Sequence, residues 1–289
     1  LPWDKTMSKN STGYYFLLPS IIILGFTSVY PAIYSFILSF YNWNWGTQQD
    51  FVGLSNYLFL SSDREFWIVI KNTFLFAFFA CSIEVTLGIL LAIYIDRISF
   101  GAGIIRSILL IPLMISGIVV SLMSKMMLNK LFGVIPYLMK QIGFSSGFYG
   151  TKDSAMWTLI GVDAWWQTAF VFIIILAGLQ SIPKEPIEAA RIDGASEWDI
   201  TKYIRLPTIR SLIFLVILFR SIDTLKIFDL VWGATGGGPG LSTEVVQTYA
   251  YRTAYGFLQM SKAMTIIVIF SVIVALLTIF YNRVDKKLR

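Results

Sequence analysis

The chain has 289 residues; 56% are hydrophobic, only 14% are charged, and the net charge is +6 with a mean hydropathy of +0.70. A soluble domain carries about 25% charged residues, so this surface suits lipid rather than water. Histidine is absent and the single cysteine, Cys81, lies in an apolar run, which excludes histidine metal sites, Ser-His-Asp catalysis and a disulfide framework.

Six apolar stretches predict an all-α membrane protein with six spanning helices, each able to cross a hydrocarbon core, which takes ~20 residues of helix. The first, 14–41, is uncharged and holds Pro19 and Pro31; it is too long for a cleavable signal, and other spans follow it. The second, 66–95, contains Lys71 and Glu84. The third, 107–128, contains Pro112 and ends near Lys125. The fourth, 154–182, contains Asp163. The fifth, 211–231, is the most polar, and the sixth, 263–281, is uncharged. A membrane barrel would show short alternating segments, and none is present. The whole of 1–289 therefore reads as one transmembrane domain, with five core spans over 66–281 and one long polar loop at 183–210.

Lysine and arginine set the orientation. With the N-terminus in the cytoplasm, thirteen fall in cytoplasmic segments and six in the opposite loops. Both termini and the 183–210 loop are then cytoplasmic. The positive charge reports this bias, and no nucleic-acid partner is needed to explain it. Tyr41, Trp43, Trp45, Trp157 and Tyr281 stand near span ends, where aromatic rings suit the headgroup level.

The polar loop predicts two short helices joined at a glycine. Pro186 fits a first helical turn, and Glu185 and Glu188 place acidic charge at its positive end. Gly194 fits a left-handed helix end. Ser196 and Asp199 form an approximate capping box for a second helix, which Pro207 should stop at or before Leu206. Ala189, Ala190 and Ala195 permit close approach of a partner, with Ile187 and Ile192 as apolar contacts.

In the fifth span Arg220, Asp223, Lys226 and Asp229 recur every third residue and wind over roughly a quarter to half of the helix circumference. Charge at bilayer depth costs about 2.5–3.5 kcal/mol per residue on insertion scales unless it pairs or meets water. These four residues should line a polar pathway or pair locally at i, i+3. Glu84 and Asp163 read as structural or interfacial. Trp165, Trp166, Phe228 and Trp232 offer ring faces that can stack on a ligand or simply pack. Gly236–Gly238, Pro239 and Gly240 precede Ser242 and Thr243 but lack the lysine of a phosphate-binding loop, so this is a turn-rich external segment.

Glu188-Ala189-Ala190, three residues, Gly194, nine residues, then Ile204-x-Leu206-Pro207 resembles the EAA loop of binding-protein-dependent ABC importer permeases at every position, including Asp193-Gly194-Ala195. The 15–45 segment, Asn72-Thr73 and the 228–239 segment resemble the carbohydrate-uptake branch of that family. The resemblance covers most of the chain. It implies a six-helix permease bundle in a bacterial cytoplasmic membrane, whose loop docks into a separate ATPase. It implies a second, distinct permease subunit, two ATPase subunits carrying ATP and Mg, an extracytoplasmic binding protein, and no cofactor on this chain. The cargo it implies is an oligosaccharide, an acidic saccharide or a related polyol, and the chain is not itself an enzyme. Two other classes compete: an ion-coupled secondary transporter using Glu84, Asp163 and Asp223, and a polytopic enzyme with a clustered catalytic site.

Overall fold

A computed structural model describes residues 9–98, 100–143 and 147–288. It divides into two compact units, residues 1–62 with 250–269, and residues 63–249 with 270–289.

In the first unit, α1 (Lys9–Leu24) and α2 (Tyr30–Leu38) form one apolar helical run broken by a wide π turn, Gly25–Val29. The turn precedes Pro31, whose missing N–H and bulky ring would clash with an ordinary helical carbonyl four residues back. Widening to i→i+5 bonding, with the Tyr30 N–H donating to the Gly25 carbonyl, absorbs that clash without ending the helix. Leu17, Ile21, Phe26, Ile33 and Phe36 are all exposed, a surface for lipid or a partner chain. A short hairpin of β1 (Tyr41–Asn42) and β2 (Asp50–Phe51) leads into α3 (Ser55–Ser62). Asn56 donates to the carbonyls of Ser39 and Tyr41, and the Trp43 N–H donates to Ser261 Oγ.

The second unit is built on α4 (Arg64–Asp96), capped by the Asp63 carboxylate, which accepts from the Glu65 N–H. The chain continues through α5 (Ala102–Leu110), α6 (Gly117–Met127), α7 (Val134–Gln141) and α8 (Lys152–Gln180). The helices α4 and α8 pack along their length, and Gly88 makes this possible: a Cβ there would lie 2.5 Å from Val171 Cγ1. Their shared core includes Ala92, Ile95, Phe172, Ile175 and Leu176. The loop carries α9 (Glu185–Ile192), α10 (Glu197–Ile200) and α11 (Leu206–Thr208). After it come α12 (Arg210–Leu225), α13 (Asp229–Ala234), α14 (Val246–Tyr251) and α15 (Met260–Leu288), whose first ten residues belong to the first unit.

Among the described residues four helical runs are long and apolar enough to cross a membrane: Phe16–Leu38, Arg64–Asp96, Lys152–Gln180 and Met260–Val284. They match the expected first, second, fourth and sixth spans. The third expected span is instead two helices bent by 95°. Pro112 opens a tight turn, Ile115 and Ser116 are extended, and the Trp166 indole N–H donates to the otherwise orphaned Ile115 carbonyl at 3.1 Å. The fifth expected span does not run on to residue 231. It ends at Leu225 after 16 residues, about 24 Å, short of the ~30 Å hydrocarbon thickness. Lys226 and Phe228 leave helical geometry before α13 begins, so the charged residues past 225 sit on a break.

Candidate functional site

Arg220 is the centre of the second unit's polar interior. It is 4% exposed, on α12, and three carboxylates surround it. Its Nε donates to Glu84 Oε2 on α4 at 2.6 Å. Its Nη2 reaches Asp163 Oδ2 on α8 at 3.4 Å, and Nη1 reaches Gln167 Oε1 at 3.4 Å and Asp223 Oδ2 at 3.5 Å. Glu84 and Asp163 are fully buried, so the guanidinium ties three helices together where water cannot compete. The helix α12 packs on both α4 and α8 around this point.

Beyond the cluster opens a cavity of about 320 Å³, within the usual range for small-ligand sites. Arg220, Asp223, Lys226, Phe228 and Asp229 line it, with Trp166 and Gln167 from α8. The Asp223, Lys226 and Asp229 side chains are exposed, and the last two follow the break after Leu225. Trp232 does not line the cavity; its ring stacks on Phe228 with centroids 5.9 Å apart. A regular i, i+3 ladder therefore does not form. Arg220 pairs locally with Asp223, but its main partners come from α4 and α8. That meeting of Glu84, Asp163 and Arg220 is what the sequence reading missed. The available signal was that Glu84, Asp163 and Arg220, charges in three apolar spans, must each find a partner.

The turn-rich segment after α13 is held from α4. Asn72 Nδ2 donates to the carbonyls of Leu241 and Glu244, at 2.7 and 3.1 Å, and Thr73 Oγ1 accepts from the Val246 N–H at 3.0 Å. Asn72 and Thr73 lie inside α4. Outside the spans, burial pushes the Tyr149 phenol up to about 12, and its hydroxyl donates to Ser124 Oγ.

The loop forms the expected elbow. Glu185 and Glu188 stand in the first turn of α9 with Pro186 beside them. Gly194 has φ +83°, its N–H donates to the Arg191 carbonyl and the Ala195 N–H to the Ala190 carbonyl, a Schellman cap. Ser196 and Asp199 cap α10 reciprocally. Pro207 does not stop the second helix. A π turn, Thr201–Arg205, precedes it at the same spacing as the one before Pro31, and the helical run continues to Thr208. Glu188, Ala189, Asp193, Gly194 and Pro207 are exposed, while Ala190, Ala195, Ile204 and Leu206 are half-buried. Ile192 projects freely at 87% exposure, but Ile187 packs into the chain's own core and is not free for a partner.

Residues 84–289 match the family described as binding-protein-dependent transport system inner membrane component. The chain belongs to that family. This membrane component of a transport system is 32% identical to the trehalose/maltose transport system permease protein of Thermococcus litoralis over 276 residues, covering 95% of this chain and 93% of the relative. It is 30% identical to an osmoprotective compounds uptake permease of Synechocystis, covering 88% and 91%. Its fold matches a bacterial ABC transporter involved in import of the acidic polysaccharide alginate with a TM-score of 0.87, over 97% of each chain at 23% identity. The family is one of ABC importer permeases, so the secondary-transporter and enzyme readings fall away. Glu84 and Asp163 agree with that outcome: both are engaged by Arg220.

Proposed function

We propose that this permease forms half of the translocation pathway for a neutral oligosaccharide or polyol in an ATP-driven importer. The charge balance of the cavity supports a neutral cargo. Arg220 is surrounded by three carboxylates, and the lining holds three acidic groups, Asp163, Asp223 and Asp229, against the two cations Arg220 and Lys226. Arg220, the buried cation of the lining, is already engaged by carboxylates and is not free to pair with an anionic saccharide. The relative in Thermococcus litoralis carries a trehalose/maltose name. The likeness to the alginate importer speaks for the fold and not for an acidic cargo.

The same proposal has the broken pair α5–α6 and the broken pair α12–α13 complete six crossings, with both termini cytoplasmic. The elbow of Glu188, Ala189, Ala190, Asp193, Gly194 and Ala195, closed by Ile204, Leu206 and Pro207, docks into an ATPase subunit. Two such ATPases bind ATP and Mg; a second permease completes the pathway, and an extracytoplasmic binding protein delivers cargo. The observation that carries this is the exposed elbow with Ile192 at its tip on a chain of this family.

The test is ATP-dependent uptake by the assembled transporter in proteoliposomes. Neutral maltodextrins or polyols should enter and uronate oligosaccharides should not; preferential uronate uptake overturns the neutral assignment. Replacing Gly194 with tryptophan forces a side chain onto φ +83°, which costs an L-residue about 1–2 kcal/mol and disturbs the docking surface. Uptake should be lost, with ATPase subunits released or hydrolysing ATP idly.

A further inference from the structure

We propose that Glu197 is the positioning residue that fastens the elbow to α4 and so passes ATPase motion to the transport cavity; this rests on the elbow being the ATPase contact. Glu197 opens α10, and three arginines converge on it. Arg191, from the end of α9, places Nε and Nη2 at 2.9 and 2.8 Å from Glu197 Oε1. On the other oxygen, Oε2, Arg97 Nε stands at 3.9 Å and Arg205 Nη2 at 3.8 Å. Arg97 Nη2 also donates to the Glu197 carbonyl at 3.3 Å and to Thr201 Oγ1 at 2.9 Å. Arg205, 5% exposed, places Nη1 3.6 Å from Asp96 Oδ2.

Asp96 is the last residue of α4, a continuous helix of 33 residues, and Arg97 is its C-cap. Glu84 lies twelve residues earlier on that rod, about 18 Å along its axis, and grips Arg220 at the cavity wall. One carboxylate thus joins both arms of the elbow to the end of a helix that also holds Arg220 at the cavity wall. Both Arg191 nitrogens converge on the single oxygen Oε1 at 2.8–2.9 Å, which sets the direction of α9 against α10. Ile200 and Thr201, both fully buried, seat α10 beneath it. The glycine at 194 supplies the bend, and Glu197 removes the freedom that the bend would otherwise leave.

The experiment uses the complete transporter, with partner permease, ATPases and binding protein, in a Cys81→Ser background. Asp223→Cys, at a side chain 61% exposed on the cavity, is labelled with a water-soluble maleimide with and without ATP. The parental complex should change its labelling rate when ATP binds. In Glu197→Gln that change should shrink about fivefold or more, the lower end of ordinary coupling between sites, while the ATPases stay bound and hydrolyse ATP. Arg97→Gln should act in the same direction, and Glu197→Asp should restore most of the response. A full ATP response in assembled Glu197→Gln complexes overturns the assignment, as does loss of the ATPases from that variant, which would make Glu197 a docking group instead. If the parental complex itself shows no ATP response at Asp223→Cys, the coupling role of the elbow fails, and this proposal with it.

Discussion

Arg220 shows how a single side chain can organise a membrane interior. Removing it leaves Glu84 and Asp163 buried with no cation, and breaking a buried ion pair on one side costs about 3–5 kcal/mol. Arg220→Ala should therefore fail to give folded protein, or should unfold far below the parent in a detergent thermal melt. Glu84→Gln should be milder, because an amide oxygen still accepts from Nε; a loss of about 1–3 kcal/mol is expected. Asp223→Ala removes an exposed carboxylate and should shift stability by less than about 1 kcal/mol. An Arg220→Ala melt equal to the parent would show that the cluster contributes no stability. The individual charges were legible in the sequence as costs. Their partnership was not, because Glu84 and Arg220 are 136 residues apart and meet only when α4 and α12 pack.

Helix boundaries were legible where backbone chemistry is local. The first turn of α9, the cap at Gly194 and the Ser196–Asp199 box each depend on residues within one turn, and all stand as the sequence indicated. Proline was misread for the same reason. Read locally, Pro207 ends a helix; in the fold a π turn one step earlier removes the clash, as it does before Pro31. The bend between α5 and α6 depends on a residue from another helix. Trp166 satisfies the Ile115 carbonyl, which lies at the extended bend between the two helices. Trp166→Phe keeps the ring and removes the N–H, so it isolates this bond. We expect a loss of about 1–3 kcal/mol and faster proteolysis or exchange across 111–117, with α4 and α8 unaffected. An unchanged melt and unchanged exchange would mean the bend is held by packing alone.

At the scale of the molecule, the family and the lipid-facing composition were open to reading because they are spread over the whole chain, whereas the number of uninterrupted spans was not. Apolar content marks 107–128 and 211–231 as spans whether or not the helix breaks within them, and only the packed fold shows the bend and the early stop. The orientation proposed from the thirteen-to-six bias in lysine and arginine can be tested directly. Cys81 is buried, 3.7 Å from Ser221 Oγ, so Cys81→Ser preserves a small polar-compatible group and gives a background free of thiols. Ile192→Cys at the elbow tip should then react with an impermeant maleimide in inside-out vesicles stripped of ATPases and stay unlabelled in intact cells. Lys140→Cys, in the last turn of α7 and in an opposite loop, should show the reverse pattern. Labelling of Ile192→Cys from the outside would invert the protein and remove the elbow from any cytoplasmic ATPase. Protection of Ile192→Cys when the ATPases are present, and its release when they are stripped, is the outcome expected if the exposed isoleucine is buried in their groove.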